Sequence, residues 1–270
     1  MNIIDHLKKI LLYGAIAYLL TCSILYFMQK RLLFPRHITA PVAENWRPEG
    51  EKSEQALING SCGSLHVAIW RHPGAKGTLM MFHGNGETIS SIDDYVHAFH
   101  HLGYNLMTWD YPGYGRSTDC WFNQDMLLSD AESAYQWLIT KEKPANIYLF
   151  GYSLGTGLAL SVASRHTQNP VYLVAGYDAM TNVAVDRYSN FLPVRYLIRY
   201  PLQTEEWVKQ IQQPIYMIHG LNDKLILPER ARALVKKAKG KIKVEWVENA
   251  EHASSNLFEY RNRWLKRLLP

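Results

Sequence analysis

Short apolar runs recur along the chain, and each is followed by a glycine-containing turn and a stretch with helical character. The runs cover residues 78–82, 105–109, 147–150, 171–175, 215–218 and 243–247. Strands buried on both faces show such short apolar runs, and their alternation with helices predicts a mostly parallel sheet with helices on both faces. Residues 65–70 alternate apolar and polar positions after a turn at residues 59–63, which indicates a hairpin. We therefore expect the α/β fold class.

The first apolar segment differs, because residues 10–28 contain no charged side chain and are long enough to span a bilayer as a helix. Two lysines precede it and Lys30 and Arg31 follow it, so the flanking charges give little information on orientation. We predict a single-pass N-terminal membrane anchor. The alternatives are a buried core helix, a cleaved signal peptide and a lipoprotein modified at Cys22.

The remaining organisation follows from prolines and interval lengths. Residues 29–53 carry three prolines and no clear period, as a connector does. We expect residues 1–36 to form the anchor and juxtamembrane segment, and residues 37–270 to form one globular domain. The longest interval between predicted strands is residues 179–212, where prolines interrupt any single helix. This interval predicts a small lid.

Composition narrows the possible partners. The chain has 270 residues, a formal net charge of +5 and no run of five basic residues, so a nucleic acid is not an expected partner. Its cysteines are Cys22, Cys62 and Cys120, and none forms a CxxC pair. Cys62 and Cys120 would pair if the domain faced an oxidising compartment, but we expect two free cysteines.

A serine motif is the first candidate for chemistry. Residues 151–155 read Gly-Tyr-Ser-Leu-Gly and fit G-x-S-x-G directly after an apolar strand. The pattern has a physical reason, because the serine lies in a strained strand-to-helix turn where larger residues two positions away would clash. Residues 156–165 have helical character, and the amino terminus of a helix adds partial positive charge. Ser153 is therefore the candidate nucleophile.

A serine hydroxyl needs a base, and in this arrangement the acid and then the histidine follow the serine along the chain. Asp223 and His252 each lie in a loop after a predicted strand. We expect Ser153 to be the nucleophile, His252 the base and Asp223 the acid that orients it. Asp178 is an alternative acid, whereas Asp110 is interpreted as structural.

An acyl-transfer intermediate also needs donors for its oxyanion. The glycine-rich turn after residues 78–82 and the residue after the serine supply backbone N–H groups, so we expect Asn85 and Leu154 to be these donors. His83 and His219 precede glycines at strand ends and are interpreted as structural. The remaining cluster, His97, His100 and His101, indicates a solvated helix face rather than a metal site. No metal or organic cofactor is expected.

With these residues in place, the sequence resembles the α/β-hydrolase superfamily, and within it a membrane-anchored group of serine aminopeptidase-like and lysophospholipase-like serine hydrolases. The segments that carry the resemblance are residues 29–35, 82–90, 110–117 and 151–155, together with Asp223 and His252. Two departures occur: Gly86 replaces a frequent alanine, and residues 176–178 lack a frequent Ser-Pro turn.

The resemblance implies a serine hydrolase that cleaves an ester or thioester, and we expect a lipid-like acyl substrate held near the membrane. The lid would contribute apolar side chains, Phe191 among them, and its Arg187, Arg195 and Arg199 would meet an anionic headgroup or solvent. An aminopeptidase or amidase is an alternative, with Glu205 and Glu206 binding the substrate amine. A non-catalytic, membrane-tethered binding module is another. We expect the globular domain on the extracytoplasmic, periplasmic side, although the sequence does not fix orientation or oligomeric state.

Overall fold

The protein is described here by a computed structural model that covers residues 3–35, 53–188 and 192–270. Its strands are β1 (Ser53–Gly60), β2 (Gly63–Trp70), β3 (Thr78–Phe82), β4 (Asn105–Trp109), β5 (Ile147–Tyr152), β6 (Val171–Val174), β7 (Ile215–Gly220) and β8 (Ile242–Val247). Its helices are α1 (Ile3–Leu33), α2 (Asp93–His101), α3 (Gln124–Ile139), α4 (Leu154–Ala163), α5 (Met180–Tyr188), α6 (Val194–Leu197), α7 (Thr204–Trp207), α8 (Pro228–Lys237) and α9 (Ser255–Leu268).

The strands form one sheet in the order β1-β2-β4-β3-β5-β6-β7-β8. The pairs β1–β2 and β2–β4 are antiparallel and the others are parallel, which confirms the predicted mostly parallel sheet. Phe82 of β3 pairs with Gly151 of β5, so the carboxyl ends of these two strands lie side by side. The predicted strand 171–175 ends one residue early, because Ala175 adopts a φ of 57°.

Alternate strand side chains enter two separate cores, one on each face of the sheet. Met80 and Phe82 of β3 lie in the core that α3, α4 and α8 cover. Leu79 and Met81, the intervening residues, lie in the core that α2 and α9 cover. The period of two along a strand therefore explains why helices are needed on both faces, as the apolar runs predicted.

Helix α1 is longer than the predicted span of 10–28 and includes the first residues of the predicted connector. It is long and apolar enough to cross a membrane. Cys22 is its only buried residue, which contradicts the alternative of a buried core helix. The boundary between residues 36 and 37 lies outside the described residues, so the division of the chain there stays a prediction.

The carboxyl end of α1 is fixed to the globular domain. The Gln29 side chain donates to the Leu197 carbonyl at 2.6 Å and accepts from the Arg199 N–H at 2.8 Å. Just after the helix, Phe34 is buried between the rings of Phe122 and Tyr200, with centroids 5.0 and 5.3 Å away. These contacts hold the carboxyl end of α1 beside the lid.

The interval predicted to form a lid contains three short helices, α5, α6 and α7. The Met180 N–H donates to the Pro201 carbonyl at 2.9 Å, which joins two parts of the lid to each other. The Tyr200 hydroxyl donates to the Phe122 carbonyl at 2.6 Å and connects the lid to the rest of the domain. Phe191, named in the sequence as a lid residue, lies outside the described residues.

Cys62 and Cys120 form a disulfide, so the expectation of two free cysteines is wrong. The hairpin turn between β1 and β2 explains the pairing, because it runs beside the loop that carries Cys120. The Thr118 N–H donates to the Ser64 carbonyl at 2.8 Å, and the Thr118 hydroxyl accepts from the Ser64 N–H at 2.9 Å. The Cα atoms of the two cysteines lie 6.3 Å apart, which is within the range for a disulfide. The 58-residue separation in sequence conceals this proximity.

Candidate active site

Ser153 lies at the junction between β5 and α4, in a backbone conformation that non-glycine residues rarely adopt. Its φ and ψ are 52° and −121°. Such a conformation costs on the order of 1–3 kcal/mol and persists only where the surroundings enforce it. The Ser153 N–H donates to the Val174 carbonyl at 2.9 Å, and the Ser153 carbonyl accepts from the Thr156 hydroxyl at 2.7 Å. Neighbouring elements therefore hold the serine in this turn.

The two glycines of the motif are required by close backbone contacts. A Cβ on Gly155 would lie 1.9 Å from the Phe82 carbonyl oxygen, and a Cβ on Gly151 would lie 2.8 Å from the Thr156 Cα. Helix α4 thus begins directly against the end of β3. The close approach explains the G-x-S-x-G spacing and brings the turn after β3 next to Ser153.

His252 connects the serine to a carboxylate. Its Nε2 atom lies 2.8 Å from the Ser153 Oγ, and its Nδ1 atom lies 2.7 Å from an Asp223 carboxylate oxygen. A carboxylate only accepts hydrogen bonds, so Nδ1 carries the proton and Nε2 is left to accept from the serine hydroxyl. The loops after β7 and β8 bring these groups together, because parallel strands end at the same edge of the sheet.

The loop after β7 holds the Asp223 carboxylate in position. One carboxylate oxygen accepts from the N–H groups of Leu225 and Ile226, both at 2.9 Å, and this leaves the other oxygen facing His252. His219 supports the same loop, because its Nε2 lies 2.9 Å from the Ile226 carbonyl. Burial lowers the pKa of His219, which favours a neutral ring that donates to this carbonyl.

The backbone N–H groups of Asn85 and Leu154, the two oxyanion donors expected from the sequence, lie in the turns after β3 and β5. Leu154 is the first residue of α4, where helical N–H groups have no partner within the helix. Asn85 is exposed in the turn that follows β3, next to the start of α4. Across the described ranges, no protein acceptor takes either N–H. Both groups are therefore available to a ligand.

A half-buried acid that the sequence did not single out lies behind this turn. The Glu87 carboxylate accepts from the Gly84 N–H at 2.6 Å and closes the turn around Asn85. Burial raises the pKa of Glu87 to about 7, although the charges of Arg261 and His252 act in the opposite direction. Glu87 lies within the motif at residues 82–90, but the sequence does not predict that its carboxylate turns inward to bind the Gly84 N–H.

Arg261 and Tyr152 complete the surroundings of the histidine. Arg261 is buried with its guanidinium over the Tyr95 ring, 4.3 Å from the centroid. The Tyr152 hydroxyl donates to the His252 carbonyl at 3.0 Å, and its ring stacks on the imidazole with centroids 5.5 Å apart. Tyr152 thus holds the loop that carries His252. No sequence signal distinguishes these two residues.

The other acids considered in the sequence have structural partners. Asp178 is buried and binds Asn182 at 2.8 Å and Arg230 at 3.3 Å. Asp110 binds the His66 ring at 2.9 Å and the Ile89 N–H at 2.8 Å. Neither of these contacts involves His252, whose Nδ1 atom contacts Asp223.

The acids proposed for an amine-binding site are also engaged. Glu205 forms an ion pair with Lys237 at 3.2 Å, and Glu206 forms one with Lys209 at 2.7 Å. Lys237 lies at the end of α8 and Lys209 lies just after α7, so each of the two carboxylates is held by a lysine.

The remaining histidines do not assemble a metal site. His83 stacks on the Tyr111 ring with centroids 3.9 Å apart, and burial lowers its pKa. His97 and His101 are exposed, and His100 packs on His72. Within residues 3–35, 53–188 and 192–270, no three histidine, cysteine or acidic side chains are placed to share an ion.

Comparisons with known proteins identify a family, and they identify relatives whose matches cover most of the chain. Residues 73–186 match the family described as "Serine aminopeptidase, S33". The chain is 30% identical over 186 residues to the α/β hydrolase L404 of Acanthamoeba polyphaga mimivirus, covering 67% of this chain and 68% of that protein. It is 26% identical over 208 residues to human α/β-hydrolase domain-containing protein 17B, and the match covers 73% of this chain and 66% of that protein.

Among solved structures, an α/β hydrolase from Vibrio vulnificus superposes with a TM-score of 0.73 at 18% identity. The match covers 91% of this chain and 94% of that one, so the likeness extends over nearly the whole fold. The sheet order, the strained serine turn and the relationship to L404 lead to one assignment. The chain belongs to the α/β-hydrolase superfamily.

Proposed function

We propose that this hydrolase cleaves esters or thioesters that carry an apolar acyl chain, through Ser153, His252 and Asp223. The observation that carries the proposal is the unbroken hydrogen-bonded chain from the Asp223 carboxylate through the imidazole to the Ser153 hydroxyl. Serine at its ordinary pKa is a poor nucleophile, and this chain supplies the base that removes its proton.

The reaction would proceed in two steps. The Ser153 Oγ attacks the substrate carbonyl carbon while His252 takes the serine proton, and the protonated imidazole then gives that proton to the leaving alcohol or thiol. Water attacks the resulting acyl-enzyme, with His252 again accepting and returning the proton. Asp223 keeps the imidazole in the tautomer that accepts at Nε2 and stabilises its positive charge.

The oxyanion that forms in both steps would be bound by the N–H groups of Asn85 and Leu154. Their availability supports this role, as does the position of Leu154 at the amino terminus of the ten-residue helix α4. Removing one such donor costs on the order of 10²–10³ in turnover.

The preference for an apolar acyl chain is supported by the membrane-spanning character of α1 and by the lid beside it. The alternative of an aminopeptidase or amidase has less support, because the acids proposed for amine binding, Glu205 and Glu206, are paired with lysines. Parallel assay of matched ester, thioester and anilide substrates separates these possibilities.

We also propose that α1 anchors the protein in a membrane and that the globular domain lies outside the cytosol. The disulfide between Cys62 and Cys120 supports this location, because disulfides persist in oxidising compartments and are rare in the cytosol. A C-terminal alkaline phosphatase fusion, active only after export, tests the orientation in a bacterial host. An inactive fusion together with an active cytosolic reporter fusion would reverse the assignment.

The catalytic proposal is tested on the full-length protein in detergent micelles with p-nitrophenyl esters and a fluorophosphonate probe. We expect the wild type to hydrolyse the esters and to be labelled at Ser153. Ser153→Ala removes both, with a rate loss on the order of 10⁴ or more. The matched control is Ser133→Ala, whose hydroxyl on α3 donates only to the Ser129 carbonyl, and it retains both. Unlabelled wild-type protein without esterase activity would favour a non-catalytic binding module.

A further inference from the structure

A groove runs between the carboxyl half of α1 and the lid. Its volume is about 320 Å³, and its lining is largely apolar. One wall is formed by Leu25, Leu32 and Leu33 of α1, and the facing wall includes Val183 and Ala184 of α5. The helix that is able to cross a membrane is thus itself a wall of the cavity.

The groove reaches the loop that carries Asp223. Leu225 lines the groove, and its N–H donates to the Asp223 carboxylate at 2.9 Å. Met180, the first residue of the lid helix α5, lines it as well. A molecule in the groove would therefore lie beside the loop on which Asp223 is held.

The groove is a stable feature, because polar contacts fix its walls to each other. Gln29 of α1 binds the backbone of both Leu197 and Arg199, which spaces the helix from the lid. The buried Phe34 secures the same end of α1 against Phe122 and Tyr200.

Exposed aromatic side chains surround this end of the molecule. Trp121 and Tyr196 are 56% and 89% exposed, and Tyr188 at the groove is 51% exposed. The Arg199 guanidinium lies 4.5 Å from the Trp121 ring centroid and 5.2 Å from that of Tyr26 on α1. Tryptophan and tyrosine are enriched where a membrane meets water, so this edge of the lid has the composition of a surface at the bilayer interface.

The chemistry of the lining selects one kind of occupant. Arg187 is the only charged residue among the described lining residues. A peptide would bring backbone N–H and C=O groups that an apolar wall leaves unsatisfied, whereas a hydrocarbon chain brings none. Ligand pockets span roughly 300–1,000 Å³, so this groove is at the small end and suits one chain rather than a two-chain lipid.

We propose that the groove between α1 and the lid binds a single lipid acyl chain delivered from the bilayer around α1, so that the membrane anchor forms part of the substrate site. Arg187 then meets the anionic part of the lipid at the rim. The meaning of this site for catalysis rests on the ester- or thioester-cleaving activity proposed above, but chain binding does not require that activity.

Binding is tested without turnover. Full-length Ser153→Ala protein in phosphatidylcholine nanodiscs is irradiated with a lysophosphatidylcholine that carries a diazirine in its acyl chain, and labelled residues are mapped by mass spectrometry. We expect label on Val183 or Ala184 of α5, residues outside the apolar span of α1. Ala184→Trp and, from the facing wall, Leu32→Trp each lower this label at least fivefold. Val185→Trp, a neighbouring substitution that does not line the groove, leaves it unchanged.

Chain-length preference provides the second measurement, in the background with Ser153 intact. Filling the groove with Ala184→Trp or Leu32→Trp lowers the ratio of kcat/KM for p-nitrophenyl decanoate to that for the acetate at least tenfold, and Val185→Trp preserves the ratio. Thermal unfolding confirms that each variant is folded. Because two variants fill the groove, the test still works if one of them does not fold.

The outcomes separate the two proposals. Labelling of α5 without ester hydrolysis by the wild type overturns the proposed reaction and leaves the groove assignment standing. Hydrolysis of esters with an unchanged ratio in both filled variants, or label confined to the outer face of α1, overturns the groove assignment and leaves the reaction standing. The groove assignment is likewise overturned if the groove residues are found covered by another protein chain instead of labelled by the lipid.

Discussion

Gly155 meets Phe82 so closely that a single added carbon at this glycine would lie 1.9 Å from the Phe82 carbonyl oxygen. The contact joins the first turn of α4 to the end of β3. It sets the distance between the serine turn and the turn that carries Asn85. The glycine is therefore a packing requirement of the proposed oxyanion site as well as of the fold.

The first prediction concerns this contact. Gly155→Ala forces α4 away from β3 and moves Ser153 relative to Asn85, so we expect esterase activity to fall at least 100-fold and the unfolding temperature to drop. Activity and thermal unfolding are measured in the same detergent. The control is Gly14→Ala, where a Cβ meets no atom within 4 Å and behaviour should match the wild type. Wild-type activity in Gly155→Ala would contradict the predicted role.

The second prediction distinguishes the two candidate acids. Asp223→Asn keeps the size of the side chain but allows its amide to donate, which favours the wrong imidazole tautomer, so kcat falls on the order of 10⁴. Asp178→Asn retains a rate within about tenfold of the wild type, because Asp178 binds Asn182 and Arg230 rather than His252. Steady-state kinetics on one ester decide between them, and the reverse ranking of the two variants would exclude Asp223.

The third prediction is a pH dependence of stability that arises from Glu87. Its pKa in the folded protein is about 7, raised by burial, whereas an unfolded glutamate titrates near 4.3. The folded state therefore holds the proton more tightly. Its contribution to stability is fully present below about pH 4.3 and is lost as the pH rises through about 7.

Glu87→Gln removes this titration and keeps an oxygen that can accept from the Gly84 N–H. We expect the fall in unfolding temperature between pH 5 and pH 8 to be smaller in Glu87→Gln than in the wild type by a few degrees. Glu259→Gln, an exposed change on α9, should retain the wild-type difference. Equal pH dependence in Glu87→Gln and wild type would assign the effect to groups other than Glu87.

The fourth prediction concerns the disulfide. Cys62→Ser combined with Cys120→Ser frees a 58-residue loop in the unfolded chain and lowers the free energy of unfolding by about 3–4 kcal/mol. The loop also docks α1, because the Lys30 ammonium binds Asp119 at 3.0 Å and the Cys120 carbonyl. Reductant should lower the unfolding temperature of the wild type and of Cys22→Ala, but not of the double variant. Insensitivity of the wild type to reductant would show that the pair contributes nothing to stability.

The sequence alone determined the fold class. The largely apolar runs at residues 78–82 and 105–109 became β3 and β4 with the predicted bounds, because a strand buried on both faces is built mainly from apolar residues. Their few polar residues, Thr78, Asn105 and Thr108, are buried as well. The G-x-S-x-G pattern made Ser153 the candidate nucleophile for a local reason as well, since its glycine spacing reflects a steric requirement of one turn. Chain order and loop position were enough to name Asp223 and His252 as candidates.

Long-range proximity was decided only by the tertiary structure. The Cys62–Cys120 pair, the contact of Gln29 with the lid and the burial of Glu87 each depend on elements that are distant in sequence and carry no local pattern. The same is true of Asp178, whose loop position equals that of Asp223 and which differs only in the partners that surround it. Periodicity reports which face of an element is buried, but the identity of the neighbours on that face is set by how the elements pack.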